Sequence, residues 1–264
     1  MLKVVNATKI FNPDSVNKVK ALRNINLSVK PGEFITVIGS NGAGKSTFLN
    51  SIAGSFLLSS GKITINGTDV TSWPEYKRAA YLGRVFQDPL LGTCSTLSIE
   101  ENMALALKRG KRRGLGFGVR NKDRNLFREQ LATLGLELEN RLSDKVGLLS
   151  GGQRQALTML MATMAKPEIL LLDEHTAALD PKTGRKILDI TDTVVHREKL
   201  TTIMVTHNMN QAINMGDRLI MFHQGTIILD IYGKEKKGLK VEDLLERFYS
   251  LRGESVATDR MLFS

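Results

Sequence analysis

At 264 residues with 42% hydrophobic content, the chain is long enough to bury a full core, which excludes bulk disorder. A single cysteine, Cys94, excludes an internal disulfide framework, and the N-terminal MLKVVNATKIF lacks the apolar run of a signal peptide, so a cytosolic protein is expected. The formal net charge of +10 on its own suggests nucleic acid or anionic lipid, but residues 108–128 hold nine Lys or Arg against one Asp, or +8 of that total, and the rest is nearly neutral.

In chain order, FITVI (34–38) reads as the first apolar strand, followed by GSNGAGKST and a helix, and KITI (62–65) as another strand. Residues 89–145 read as a mainly helical insertion. STLSIEENMALALKR opens it with Ser98 and Glu101 in capping-box spacing, and a second helix is expected over 123–134. GLGFG (114–118) follows no strand and is expected to be a flexible loop. LSGGQ (149–153) again has capping-box spacing, from Ser150 to Gln153, and starts a helix through Met164. Leu157, Leu160, Met161 and Met164 form the one buried stripe expected of it. EILLL (168–172), TTIMV (201–205) and RLIMF (218–222) complete the strand-like runs, VEDLLERFYSL suggests a last helix, and the final dozen residues are expected to be loose. Strands alternating with helices predict an α/β core with a largely parallel sheet, and no run approaches the ~18 apolar residues of a spanning helix.

The chemistry concentrates at three places. After the first strand, Ser40, Asn41, Gly42, Ala43, Gly44, Lys45, Ser46 and Thr47 complete a G-x-x-x-x-G-K-[ST] loop. Glycines let consecutive backbone N–H groups turn inward on phosphate oxygens, Lys45 supplies a cation for the β and γ phosphates, and the Ser46 hydroxyl suits Mg²⁺. ILLLDE ends a strand in Asp173, a carboxylate for Mg²⁺, with Glu174 next to it to orient or deprotonate a water, which implies hydrolysis rather than binding alone. The third place is LSGGQ. Glycine in a helix interior costs about 1 kcal/mol against alanine, so Gly151 and Gly152 need a reason, and close approach of an anion to bare backbone supplies one.

The ordered set GSNGAGKST, Gln87 in VFQDP, LSGGQRQ, ILLLDE, AALD (177–180) and His207 in VTHNM resembles the ATP-binding subunits of ABC transporters over about residues 2–230. The resemblance implies an α/β P-loop NTPase (RecA-like) core with an ABC-type antiparallel β subdomain and a helical insertion. It divides the chain into one ATPase domain, 1–230 (core 1–88 and 146–230, helical subdomain 89–145), and a C-terminal helix and tail, 231–264. It further implies that Ser150, Gly151, Gly152 and Gln153 contact the γ-phosphate held by the loop of a second copy, head to tail, so that two chains sandwich two ATP molecules. Gln87 then senses Mg²⁺ beside Ser46 and Asp173, Glu174 is the base, His207 touches the γ-phosphate, Asp180 crosses the dimer interface and Phe11 stacks on adenine. The segment after Phe11, NPDSVNKVKAL, reads as a loop. Three departures stand out: His175 where proline is common, Ala177 where serine is, and Ser40 where proline is frequent.

Further implied are a separate integral membrane permease docked near Gln87, indirectly an extracytoplasmic substrate-binding protein, no nucleic acid, and a peripheral place on the cytoplasmic face of the inner membrane. Within the family, VFQDPLLGTCSTLSIEENMALALKRGKRRGLGFG and DEHTAALDPKT are similar to the ATPase component of bacterial tryptophan or tyrosine uptake systems. An export or lipoprotein-release ATPase is the alternative, and a soluble ABC-type ATPase acting on nucleic acid a more distant one. The basic segment either faces the anionic leaflet, at about 1 kcal/mol per charge before screening, or is a solvated loop.

Overall fold

The computed structural model describes residues 1–111 and 118–252. From Met1 to Arg78 it runs β1 (Leu2–Phe11), β2 (Val19–Val29), β3 (Phe34–Gly39), α1 (Lys45–Ala53), β4 (Ser60–Ile65), β5 (Thr68–Asp69) and α2 (Glu75–Arg78). From Ala79 to Leu200 follow β6 (Leu82–Val85), α3 (Ile99–Leu107), α4 (Asn121–Ala132), α5 (Gly151–Met164), β7 (Ile169–Asp173) and α6 (Pro181–Glu198). The remainder forms β8 (Thr201–Val205), α7 (Met209–Asn214), β9 (Arg218–His223), β10 (Thr226–Tyr232), α8 (Lys234–Lys237) and α9 (Val241–Arg252). The first and third stretches make one compact unit and the middle stretch another.

In the first unit β2, β1, β4 and β5 form an antiparallel sheet in that order, while β3 lies between β8 and β9, parallel to both, with β10 antiparallel on β9. Every residue of β3 is buried, as expected for a parallel strand covered on both faces. Ile38, Leu219 and Met221 pack under Leu244 and Phe248 of α9. The segment expected as a loop after Phe11 is corrected at its end: Val19 already pairs with Phe11 and begins β2. Bulges between Val4 and Ile10 and a left-handed Asn6 (φ 51°) break the two-residue alternation that would have marked β1.

Arg78 is the largest wholly buried side chain of this unit. Its guanidinium donates to the Ser51 and Ile52 carbonyls at the end of α1, at 2.6 and 3.0 Å, and to Trp73 and Thr71, each at 2.9 Å. A cation thus closes the negative end of the helix that starts at the phosphate loop. Arg78→Met leaves four carbonyls short of a donor, two of these bonds being buried and two part-buried, and is expected to lower unfolding free energy by about 3 kcal/mol or more in urea titrations; a loss below about 1 kcal/mol would contradict this account.

Lys236 of α8, 2% exposed, donates to the Met215 and Gly216 carbonyls just beyond α7. Burial pushes its ammonium down to about 8 from 10.5. Between those values the unfolded chain binds the extra proton, so this group's contribution to stability rises with pH across that window. Denaturant midpoints at pH 7.5 and 9.5 are expected to rise more in the parent than in Lys236→Met, and parallel pH dependence of the two proteins would contradict the assignment.

In the second unit β6 and β7 pair in parallel, from Leu82 opposite Ile169 to Val85 opposite Leu172. Phe127 and Leu131 of α4 share a core with Met103 of α3 and Leu157 and Leu160 of α5. The expected single stripe of α5 is corrected: residues 155–163 are all buried, so that stretch of the helix is enclosed on every side. Ser98 and Glu101 form the capping box of α3. The basic segment is partly used internally: Arg109 donates to the Ala162 carbonyl at 2.7 Å and Arg124 makes a two-pronged pair with Glu100. Most of GLGFG and the final dozen residues lie outside the described residues.

Candidate functional site

The phosphate loop joins the fully buried β3 to α1. Gly44 has φ 103°, and a Cβ there would stand 2.6 Å from the Ala21 carbonyl oxygen of β2, so only glycine lets the loop close onto its support. The Gly225 N–H in the β9–β10 turn donates to the Ala43 carbonyl at 2.9 Å and braces the loop from the other side. Lys45, 6% exposed, turns back so that Nζ donates to the Gly39 and Ser40 carbonyls at 2.6 and 3.1 Å. Asn41, Gly42 and Ser46 face solvent, while Ser40 and Thr47 are half-buried.

His207 lies two residues beyond β8, exposed, in a turn pinned at both ends. The Thr206 N–H donates to the Val37 carbonyl of β3 at 3.1 Å, and Asn208 caps α7 through the Gln211 N–H. The imidazole therefore issues from the same strand edge as the phosphate loop. Phe11, last residue of β1, is half-buried, edge-on to Phe56 at 5.2 Å with the Lys9 ammonium 5.0 Å from its ring centre.

In the second unit, Asp173 ends β7, and Arg84 of the neighbouring β6 approaches its carboxylate at 3.4 Å. Arg84 also lies over the Phe86 ring at 4.5 Å. Glu174 follows with φ 45°, a left-handed conformation costly for a non-glycine residue. His175 is buried and its Nε2 lies 3.0 Å from Thr191 Oγ1. Since that hydroxyl donates to the Ile187 carbonyl at 2.8 Å, His175 Nε2 carries the proton. Burial alone pushes this imidazole down to about 4, so it is neutral near pH 7.

Asp180 accepts from the Lys182 and Thr183 N–H groups at 3.1 and 3.0 Å and caps α6, ahead of Pro181. Hydrogen bonds from Thr183, chiefly, hold its carboxyl below the usual value. Gln87 follows β6 and is exposed, and Asp88 beside it caps the turn at Pro89–Gly92. The Ser150 and Gln153 capping box forms as expected, at 3.2 and 3.3 Å. It leaves the Gly151 and Gly152 N–H groups at the helix start without intrahelical partners, a ready anion site.

Packing bears differently on the two glycines. A Cβ on Gly152 would stand 2.2 Å from Thr183 Cγ2 of α6, so packing within this chain already demands glycine there. On Gly151 it would meet only Leu179 Cδ2 at 3.6 Å, ordinary contact, so packing within this chain gives no reason for glycine there. Sequence reading missed Arg84 and Gln155. A charge inside the short apolar strand LGRV and a polar residue on the enclosed stretch of α5 were the available signals.

A glycine-cradled lysine between a buried strand and a helix, with an acid pair ending another apolar strand, defines a P-loop nucleoside triphosphatase. Residues 22–177 match the family described as ABC transporter. The chain is 47% identical over 248 residues, 94% of its length and 98% of the relative's, to the tyrosine transport ATP-binding protein of Clostridioides difficile (strain R20291). It is 36% identical to the lipoprotein-releasing system ATP-binding protein LolD of Syntrophus aciditrophicus (strain SB), covering 86% of this chain and 99% of that one. Among solved structures, a dimeric ATP-binding cassette in a post-hydrolysis state bound to ADP and Pi matches with TM-score 0.75 and 32% identity, over 88% of this chain and 98% of that chain. The chain belongs to the ABC transporter family, as an ATP-hydrolysing, transport-coupled subunit.

Proposed function

We propose that this subunit drives a bacterial importer of an aromatic amino acid, closing head to tail with a second copy around two ATP molecules and coupling that closure to a separate permease. The observation that carries the cargo class is the 47% identity over nearly full length to a relative named for tyrosine transport. The 36% identity to a lipoprotein-releasing ATPase makes release or export the competing reading. No described helix is long and apolar enough to cross a membrane, so in this reading the subunit sits peripherally on the cytoplasmic face, held by the permease, with an extracytoplasmic binding protein upstream of it. The proposed division of labour follows the motifs, with an ATPase core at 1–88 and 146–230, a helical subdomain at 89–145 and a C-terminal helix and tail at 231–264.

In the proposed site, the N–H groups of residues 40–47 and the Lys45 ammonium hold the β and γ phosphates, and Phe11 stacks on adenine. The hard oxygen donors Ser46 and Asp173, with Gln87, suit Mg²⁺, which when bound neutralises phosphate charge. Glu174 accepts the proton of the attacking water, and the His207 imidazole holds that water and the γ-phosphate in line. Ser150 and the Gly151 N–H of the partner copy cap the γ-phosphate from the opposite side, while Asp180 lies at the same interface. Closure thus needs the triphosphate, and hydrolysis releases it.

The test is to recover the permease by mild-detergent co-purification, reconstitute the complex in proteoliposomes with its binding protein, and follow ATP-dependent uptake of labelled tyrosine and tryptophan. Uptake of either supports the reading; ATP turnover unaffected by both, with release of a lipid-anchored cargo instead, would replace it.

A further inference from the structure

Gln155 lies one turn into α5 and is wholly buried. Its Nε2 donates to the His175 carbonyl at 2.6 Å and to the Phe86 carbonyl at 3.2 Å. Phe86 immediately precedes Gln87, and His175 immediately follows Glu174. One amide therefore holds the backbone beside both side chains assigned to Mg²⁺ and to water. Gln155 also stands two residues past Gln153, which closes the capping box over Ser150 at the helix start.

The other side of this link is equally fixed. His175 donates through Nε2 to the Thr191 hydroxyl of α6, and that hydroxyl donates in turn to the Ile187 carbonyl. The turn carrying Glu174 at φ 45° is thus tied to α5 through a carbonyl and to α6 through an imidazole. Gln155 Oε1 is buried with no hydrogen-bond partner among the described residues, so the side chain engages its surroundings through its amide nitrogen. A buried amide kept half-satisfied asks for a reason beyond packing.

We propose that Gln155 is a positioning residue for ATP hydrolysis, carrying the placement of the LSGGQ helix start to the backbone that sets Gln87 and Glu174. Closure of the Ser150 end of α5 on a triphosphate then reaches the metal and water side chains through one side chain rather than through a change of fold. This inference rests on the reading of Glu174 as the base.

The test compares the full chain with Gln155→Met, nearly the same volume without donors, and Gln155→Asn, which keeps the donors but cannot span both carbonyls. Gln155→Met is expected to lower kcat about tenfold while affinity for a fluorescent ATP analogue stays within about twofold. Amide hydrogen exchange should quicken at 86–88 and 174–177 and not elsewhere, and Gln155→Asn should fall between. If Gln155→Met does not fold, Gln155→Asn with its exchange pattern decides alone. Wild-type kcat in a folded variant overturns the proposal, as does loss of turnover accompanied by equal loss of nucleotide affinity and globally faster exchange. Glu174→Gln run in parallel separates the two ideas. Persistent hydrolysis by Glu174→Gln removes the base assignment, whereas an inactive Glu174→Gln beside a fully active Gln155→Met removes only the positioning role.

Discussion

Glu174→Gln is expected to abolish nearly all ATP turnover, by on the order of 10²- to 10³-fold, while leaving ATP binding intact. The amide has the shape of the carboxylate and takes the same left-handed turn, where Glu174 has φ 45°, so the loop keeps its conformation. It can still hold a water by hydrogen bonding but cannot take its proton. The groups proposed to bind phosphate lie in the loop after β3 and are unchanged, so on the proposed closure the protein is expected to accumulate as an ATP-bound dimer, measurable by size-exclusion chromatography with and without ATP. Substantial remaining hydrolysis would remove Glu174 from the base role.

Lys45→Ala is expected to act on binding itself. The Lys45 ammonium is 6% exposed and already oriented by the Gly39 and Ser40 carbonyls, so little conformational entropy remains to be lost when phosphate oxygens replace one of those acceptors. A charge-assisted hydrogen bond to an anion contributes about 1.5–3 kcal/mol, so ATP affinity should fall by roughly 10- to 100-fold. The loop itself is braced through backbone, by Gly225 on Ala43 and Ala21 against Gly44, and survives the change. Unchanged affinity in a fluorescent-nucleotide titration would contradict the phosphate assignment.

Features set by local chemistry were legible in the sequence. The Ser98–Glu101 and Ser150–Gln153 capping boxes form where their spacing put them, and β8 spans the residues of its apolar run. Features set by distant contacts were not. Bulges and Asn6 hid β1, Arg84 reaches Asp173 only because β6 lies beside β7, and Arg78 caps a helix that ends 25 residues earlier, at Ala53. Gly152 shows the same limit most clearly: its need for glycine comes from Thr183, thirty-one residues on, in a helix that no spacing rule connects to LSGGQ. The enclosure of α5 was missed for a related reason, since Gln155, Thr158 and Thr163 interrupt its apolar pattern while bonding to carbonyls inside the fold.

The claim on which the transport reading depends is that each reaction centre joins the phosphate loop of one chain to the Ser150 helix start of another. Mixing differently tagged Ser150→Arg and Lys45→Ala proteins, each expected to be inactive alone at ATP concentrations that the unaltered protein turns over, and assaying the purified mixed dimer tests it directly. One of its two sites would combine an intact Lys45 with an intact Ser150, so ATPase activity should appear that neither parent shows. A mixed dimer as inactive as its parents, with ATP-driven dimerisation intact, would place both groups in one chain and contradict the account.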